Sequence, residues 1–144
     1  MTVFQNKEQM QTVLGGLFEK LLSDPTLGLK FNKAGITIKY NVSEPDGIIW
    51  VVPGNGDKGE VLLGKADIKA DVEMTLSGDT CHKFWLKQIS MPVALAKGLI
   101  KSKGPLPKVL KLLPLLKPAF EAYPEHAKFH GLSIEEESFK QQKE

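Results

Sequence analysis

The hydrophobic period of this chain changes along its length, and that change constrains the fold more than any single motif. Val13, Leu14, Leu17, Phe18, Leu21 and Leu22 recur at helical spacing. From Gly35 the period becomes two. "GITIKYNV" sets Ile36, Ile38, Tyr40 and Val42 against Thr37, Lys39 and Asn41, as in a strand with one buried face. "ADVEMTLSG" repeats the alternation with Val72, Met74 and Leu76. Helical spacing returns in "GDTCHKFWLKQI" and in the leucine-rich "PLPKVLKLLPLLK". A chain that alternates and then winds must bury the faces of strands under the stripes of helices. The order is helices, strands, helices, one strand, helix. It predicts an α+β fold, with a largely antiparallel sheet of about five strands and helices on one side.

Local signals set the boundaries. Asn6 caps the first helix, with Gln9 as its capping-box partner. Asp24 and Pro25 open a short second helix to about Phe31. "EPDG" turns the chain between the strand at 35–42 and "IIWVV" at 48–52, which pair as an antiparallel hairpin. Asp79 is the expected cap of a helix over 78–89. Pro92 opens and Gly98 closes the next helix, and 99–104 forms a short strand. Pro114 is expected to kink or interrupt the helix at 105–117, and a last helical piece is expected at 119–128. Ser133 and Glu136 suit the cap of a short charged terminal helix. This gives one domain over 1–132 and a charged tail over 133–144.

"VVPGNGDKGEVLLG" carries Gly54, Gly56 and Gly59 in the G-x-G-x-x-G spacing of a dinucleotide site. Such a site needs its glycines to run straight into a helix whose N-terminus holds the pyrophosphate. Here a short, strand-like "EVLLG" follows instead. The glycines therefore belong to a loop between strands.

Composition excludes more than it proposes. The 144 residues carry a formal charge of only +2, which does not argue for nucleic acid. Every basic residue other than histidine is Lys. Without Arg, bidentate phosphate or base recognition is weakened. Cys81 is the one cysteine, so no intrachain disulfide forms and a reducing cytoplasm is the expected setting. The start "MTVFQNKEQMQ" is not expected to act as a secretory signal nor "KQQKE" as a peroxisomal address, and no apolar run approaches the length of a membrane span.

Catalytic constellations are weak. Cys81 and His82 are helix neighbours and diverge by about 100°. His126 and His130 share an i, i+4 spacing but have no third ligand nearby, so they are expected as an exposed pair near a helix end. Asp67 and Asp71 are expected to face solvent. No G-x-S-x-G or H-E-x-x-H occurs, and the expectation is a non-enzyme without metal or cofactor. What stands out is an apolar surplus in the second half. It exceeds what one sheet face covers, so it implies an oligomer interface, a membrane surface or a cavity wall. Lys101, Lys103, Lys108, Lys111 and Lys117 fringe it, which suits anionic lipid headgroups or a solvated edge.

The ordered set Ala70, Asp71, Ser77, Asp79, then Phe84, then Gly98, Ile100, Lys101 and Gly104 resembles the sterol carrier protein type 2 family. The resemblance spans roughly 35–116, with helix placement alone at 3–29. It implies a free-standing lipid-binding domain with an apolar tunnel that holds a fatty acid, acyl-CoA or sterol-like ligand, without catalysis. By position, Trp50, Phe84, Trp85, Ile89, Leu95 and Leu99 supply walls, with Leu112, Leu113 and Leu116 as lid. Lys101 or Lys103 meets a headgroup at the mouth. The implied partners are a lipid ligand and transient contact with an anionic membrane, in a monomer or weak dimer. The alternatives are a protein-interaction or oligomerisation module, or an accessory domain to an acyl-processing enzyme.

Overall fold

The computed structural model describes residues 2–55 and 58–134, with five helices and five strands among them. Helix α1 (Lys7–Ser23) starts where the sequence predicts: Asn6 Oδ1 accepts from Gln9 N at 2.8 Å. The Gln9 side chain reaches one residue further back than a standard capping box and accepts from Gln5 N at 2.7 Å. Asp24 Oδ1 accepts from Leu27 N at 2.8 Å and Pro25 opens α2 (Pro25–Ala34). That helix runs past Phe31 to Gly35, which ends it at φ +63°.

Strands β1 (Ile38–Ser43) and β2 (Gly47–Val52) form the expected antiparallel hairpin, with Tyr40 opposite Ile49. β3 (Glu60–Leu63) returns antiparallel to β2, so the glycine stretch does connect two strands; its Gly56 and Asp57 lie outside the described residues. β4 (Val72–Ser77) pairs with β1 in parallel, and β5 (Ile100–Lys103) pairs antiparallel with β4. The sheet order is β3-β2-β1-β4-β5, mixed but mainly antiparallel. The one parallel seam lies between β1 and β4.

Two helix expectations need correction. Ser77, not Asp79, caps α3 (Gly78–Trp85), accepting from Thr80 N at 3.1 Å. Asp79 instead accepts from Val3 N at 2.7 Å and ties down the N-terminal segment. α3 also stops at Trp85, because Lys87 enters the left-handed region at φ +63°. α4 (Met91–Ala96) begins at a Ser90 cap. The second correction concerns α5 (Leu106–Phe129), which is one continuous helix despite Pro114, Pro118 and Pro124. Leu112, Leu116, Ala119, Tyr123 and Ala127 form an unbroken buried stripe at helical spacing. Packing of that stripe overrides the local breakers. Of the tail, only Ser133 and Ile134 fall within the described residues; Glu136 and the expected terminal helix lie outside them.

The core lies between the helices and one face of the sheet. Phe18 stacks on Tyr40 with centroids 5.0 Å apart, and Trp85 meets Phe18, Phe84 and Phe120. Each large side chain buried this way contributes roughly 1.5–3 kcal/mol. No helix among the described residues is long and apolar enough to cross a membrane.

Candidate functional site

Where α1, α2 and α5 meet over β1 and β2, every side chain lining the space between them is apolar. Phe18 and Leu22 of α1 and Phe31 of α2 form its sides, Ile38 and Val51 its floor, and α5 closes it with Leu112 and Leu116. Its volume is about 30 Å³. A second small space, about 10 Å³, lies deeper between Tyr40, Phe84, Trp85 and Leu116. Leu116 is therefore a wall common to both. A wider hollow of about 290 Å³ opens at the surface beside α4, between Phe84, Ile89, Met91 and Phe120, with Lys87 on its rim. It shares Phe84 and Met91 with the second space. Neither inner space is an open tunnel. Both are of the size left between packed side chains.

The proposed wall residues separate into groups. Leu112 and Leu116 line the first space, Phe84, Trp85 and Leu116 the second, and Ile89 the surface hollow. Trp50 lies on the opposite face of the sheet. Its neighbours Ile49 and Val51 join the core, so Trp50 between them points away. There its indole N–H donates to Gly64 O at 2.8 Å, and Lys39 Nζ sits 5.1 Å above the ring. Leu95 and Leu99 are exposed on α4 and the turn after it, and Lys101 and Lys103 are exposed on β5; none of the four lines these spaces. Leu113 belongs to α5, but its side chain is outside the described residues. Phe18, Leu22, Phe31 and Ile38 line the main space and were legible in the sequence only as core. A core stripe and a cavity wall carry the same apolar periodicity.

The polar groups form a separate cluster. His82 is buried, with Nε2 donating to Ser133 O at 2.8 Å and Nδ1 accepting from the Tyr123 hydroxyl at 2.7 Å. His126 is not the exposed residue its spacing suggests. It is buried, and Nε2 donates to Val13 O at 2.6 Å. Gly16 eases this approach, since a methyl there would crowd the ring at 3.2 Å from His126 Cε1. His126 Nδ1 is buried without a hydrogen-bond partner among the described residues. Burial holds both imidazoles below their ordinary range, more than the carbonyls of Ser133 and Val13 raise them. Burial likewise pushes the Cys81 thiol up to about 12 and raises the Tyr123 phenol. These shifts favour neutral, unreactive groups. Asp71 is also tied into the structure: it accepts from Thr37 N at 2.9 Å and from Lys108 Nζ at 3.1 Å, and these contacts lower its carboxyl. Among the described residues no group of three His, Cys, Asp or Glu could hold a metal ion.

No family model and no curated protein matches the sequence. Solved structures do. The solution structure of sterol carrier protein domain 2 of Helicoverpa armigera aligns with a TM-score of 0.67 at 22% identity, over 82% of this chain and 94% of that one. Sterol carrier protein 2 from Yarrowia lipolytica aligns at 0.58 and 22%, over 74% of this chain and 88% of that one. A stereoselective inverting sec-alkylsulfatase from Pseudomonas sp. aligns at 0.51 and 22%, over 60% of this chain but only 13% of that longer enzyme. The chain thus has the sterol carrier protein 2 fold, as the ordered residues around Ala70, Ser77 and Gly104 led one to expect.

Proposed function

We propose that this chain binds an extended apolar lipid beneath α5 and carries it without chemical change. The observation that carries the proposal is the wholly apolar lining of the space between α1, α2 and α5. Burying a CH₂ group is worth about 0.8 kcal/mol. A chain of about sixteen carbons gains on the order of 12 kcal/mol before ordering costs of several kcal/mol, which leaves micromolar to sub-micromolar affinity. Apolar walls discriminate weakly between chains, so fatty acid, acyl-CoA and sterol-like ligands compete for one site. Ligand pockets hold roughly 300–1,000 Å³. The space of about 30 Å³ must therefore widen, and the half of α5 that carries Leu112 and Leu116 is the element that yields.

The test is a titration of delipidated protein with a long-chain fatty acid, read by tryptophan emission and confirmed by calorimetry. Trp85 lines the second inner space, which shares Leu116 with the first, and Trp50 lines neither, so a Trp50→Phe variant keeps the reporting signal. A saturable change near one equivalent, reversed by a competing sterol or acyl-CoA, is the expected result. Leu112→Asp and Leu116→Asp variants that fold and still bind as tightly as the parent would remove α5 from the site. No response by either method would end the carrier reading.

A further inference from the structure

α4 is the anomaly of the surface. Its sequence, MPVALA, contains no polar side chain, yet only Ala94 is buried. Val93 and Leu95 flank Ala94 with 44% and 40% of their surface exposed, and Leu99 in the following turn adds another 40%. Pro92 and Ala96 on the outward side are exposed as well. A helix apolar on every side belongs in a core or a bilayer, and this one lies on the protein's outside.

Its electrostatic setting is equally one-sided. Residues 80–120 contain eight Lys and no Asp or Glu. Lys97 caps α4, Lys101 is exposed on β5 against which α4 packs, and Lys87 rims the hollow that Met91 of α4 helps to line. An apolar protrusion with a lysine at its end and another on the rim of the adjoining hollow complements a surface that is anionic outside and hydrocarbon within. We propose that α4 docks on the face of an anionic bilayer, with Val93, Leu95 and Leu99 entering the acyl boundary and Lys87, Lys97 and Lys101 on the headgroups. Docking in this way also sets the hollow between Phe84, Ile89, Met91 and Phe120 beside the membrane. That hollow adjoins the inner space bounded by Trp85 and Leu116.

The test is sedimentation of the whole chain with phosphatidylcholine vesicles, with and without phosphatidylserine. The chain is expected to bind the anionic vesicles only, and less as salt rises. Val93→Asp with Leu95→Asp is expected to abolish binding while the chain stays folded, because both side chains are already partly exposed. Each Lys→Ala change at 87, 97 or 101 is expected to weaken binding about fivefold. Leu95→Trp supplies a reading without an added charge: its emission shifts to the blue on anionic vesicles. Equal binding to neutral vesicles, unchanged binding by the double variant, or no vesicle binding at all overturns the proposal. So does a dimer that the double variant dissolves, which would make α4 a contact between two copies. None of these readings uses a soluble lipid ligand, so failure of the carrier function leaves the result standing.

Discussion

Gly15 and Gly28 both lie inside helices, and the structure gives the two positions opposite expectations. A helical glycine costs about 0.8–1.0 kcal/mol relative to alanine. Replacement by Ala is therefore stabilising wherever the methyl has room. At Gly15 it has room: the added carbon would lie 3.5 Å from Leu63 Cδ2 and 3.7 Å from Val61 Cγ1, both ordinary contacts. Gly15→Ala should stabilise by about 1 kcal/mol, or roughly 3 °C in Tm for a chain of this size. At Gly28 the carbon would lie 2.7 Å from Leu22 O, a backbone atom at the corner between α1 and α2. That oxygen cannot rotate away as a side chain would. Overpacking of this kind costs about 1–3 kcal/mol, which outweighs the gain in propensity and leaves a net loss of about 1 kcal/mol. Guanidinium unfolding of the two variants, followed by far-ultraviolet circular dichroism and tryptophan emission together, measures both signs. Shifts in the same direction would refute the argument that the α1–α2 corner is held by a close backbone approach.

Other expectations follow from the buried groups. Burial lowers the folded-state values of His82 and His126, so their neutral forms stabilise the fold above about pH 6.5. That contribution is lost as pH falls below 6.5 through the lower folded values. The thermal midpoint should therefore fall on mild acidification, and His126→Gln should flatten the slope. Lys20 and His130 face His126 and add to its preference for the neutral form. Cys81, buried and pushed up to about 12, should resist alkylation at pH 8 until the chain is unfolded, as a thiol count by mass spectrometry would record. Asp71→Asn weakens the contacts to both Thr37 N and Lys108, so it should cost more than Lys108→Ala, which removes only a half-exposed ion pair worth under about 1 kcal/mol. Denaturant midpoints of the two variants decide between them. Leu116→Ala joins the two inner spaces and should cost about 2–5 kcal/mol in the same assay.

Local physics carried most of the fold. The alternation in 36–42 and 72–76, the caps at Asn6 and Asp24, and the turn at Glu44–Gly47 each act within a few residues, and each appears where the pattern puts it. Long-range effects were not legible. Nothing in the sequence of β1 or β4 states that they pair in parallel. His126 packs its ring beside Gly16 and Val13 O, residues far away in the chain. Pro114 signals a break, but the buried stripe from Leu112 to Ala127 keeps α5 whole. Asp79 has the residue type of a helix cap. Ser77, two residues earlier, satisfies the same requirement and won. Phe84, Trp85, Leu112 and Leu116, assigned by position, line the two inner spaces. Trp50, assigned by position as well, has the parity on β2 that sets it on the other face.

The prolines of α5 carry one more consequence. Pro114, Pro118 and Pro124 remove three rungs of the helical ladder and together oppose its formation by on the order of 9 kcal/mol relative to alanine. No isolated peptide of this sequence would hold the helix. Its winding is thermodynamically inseparable from its packing on α1, α2 and α3, so adhesion and coiling are a single equilibrium. A force that peels α5 away also unravels it. Amide protons along 106–129 should therefore exchange as one unit, and at a rate set by detachment rather than by fraying from the ends.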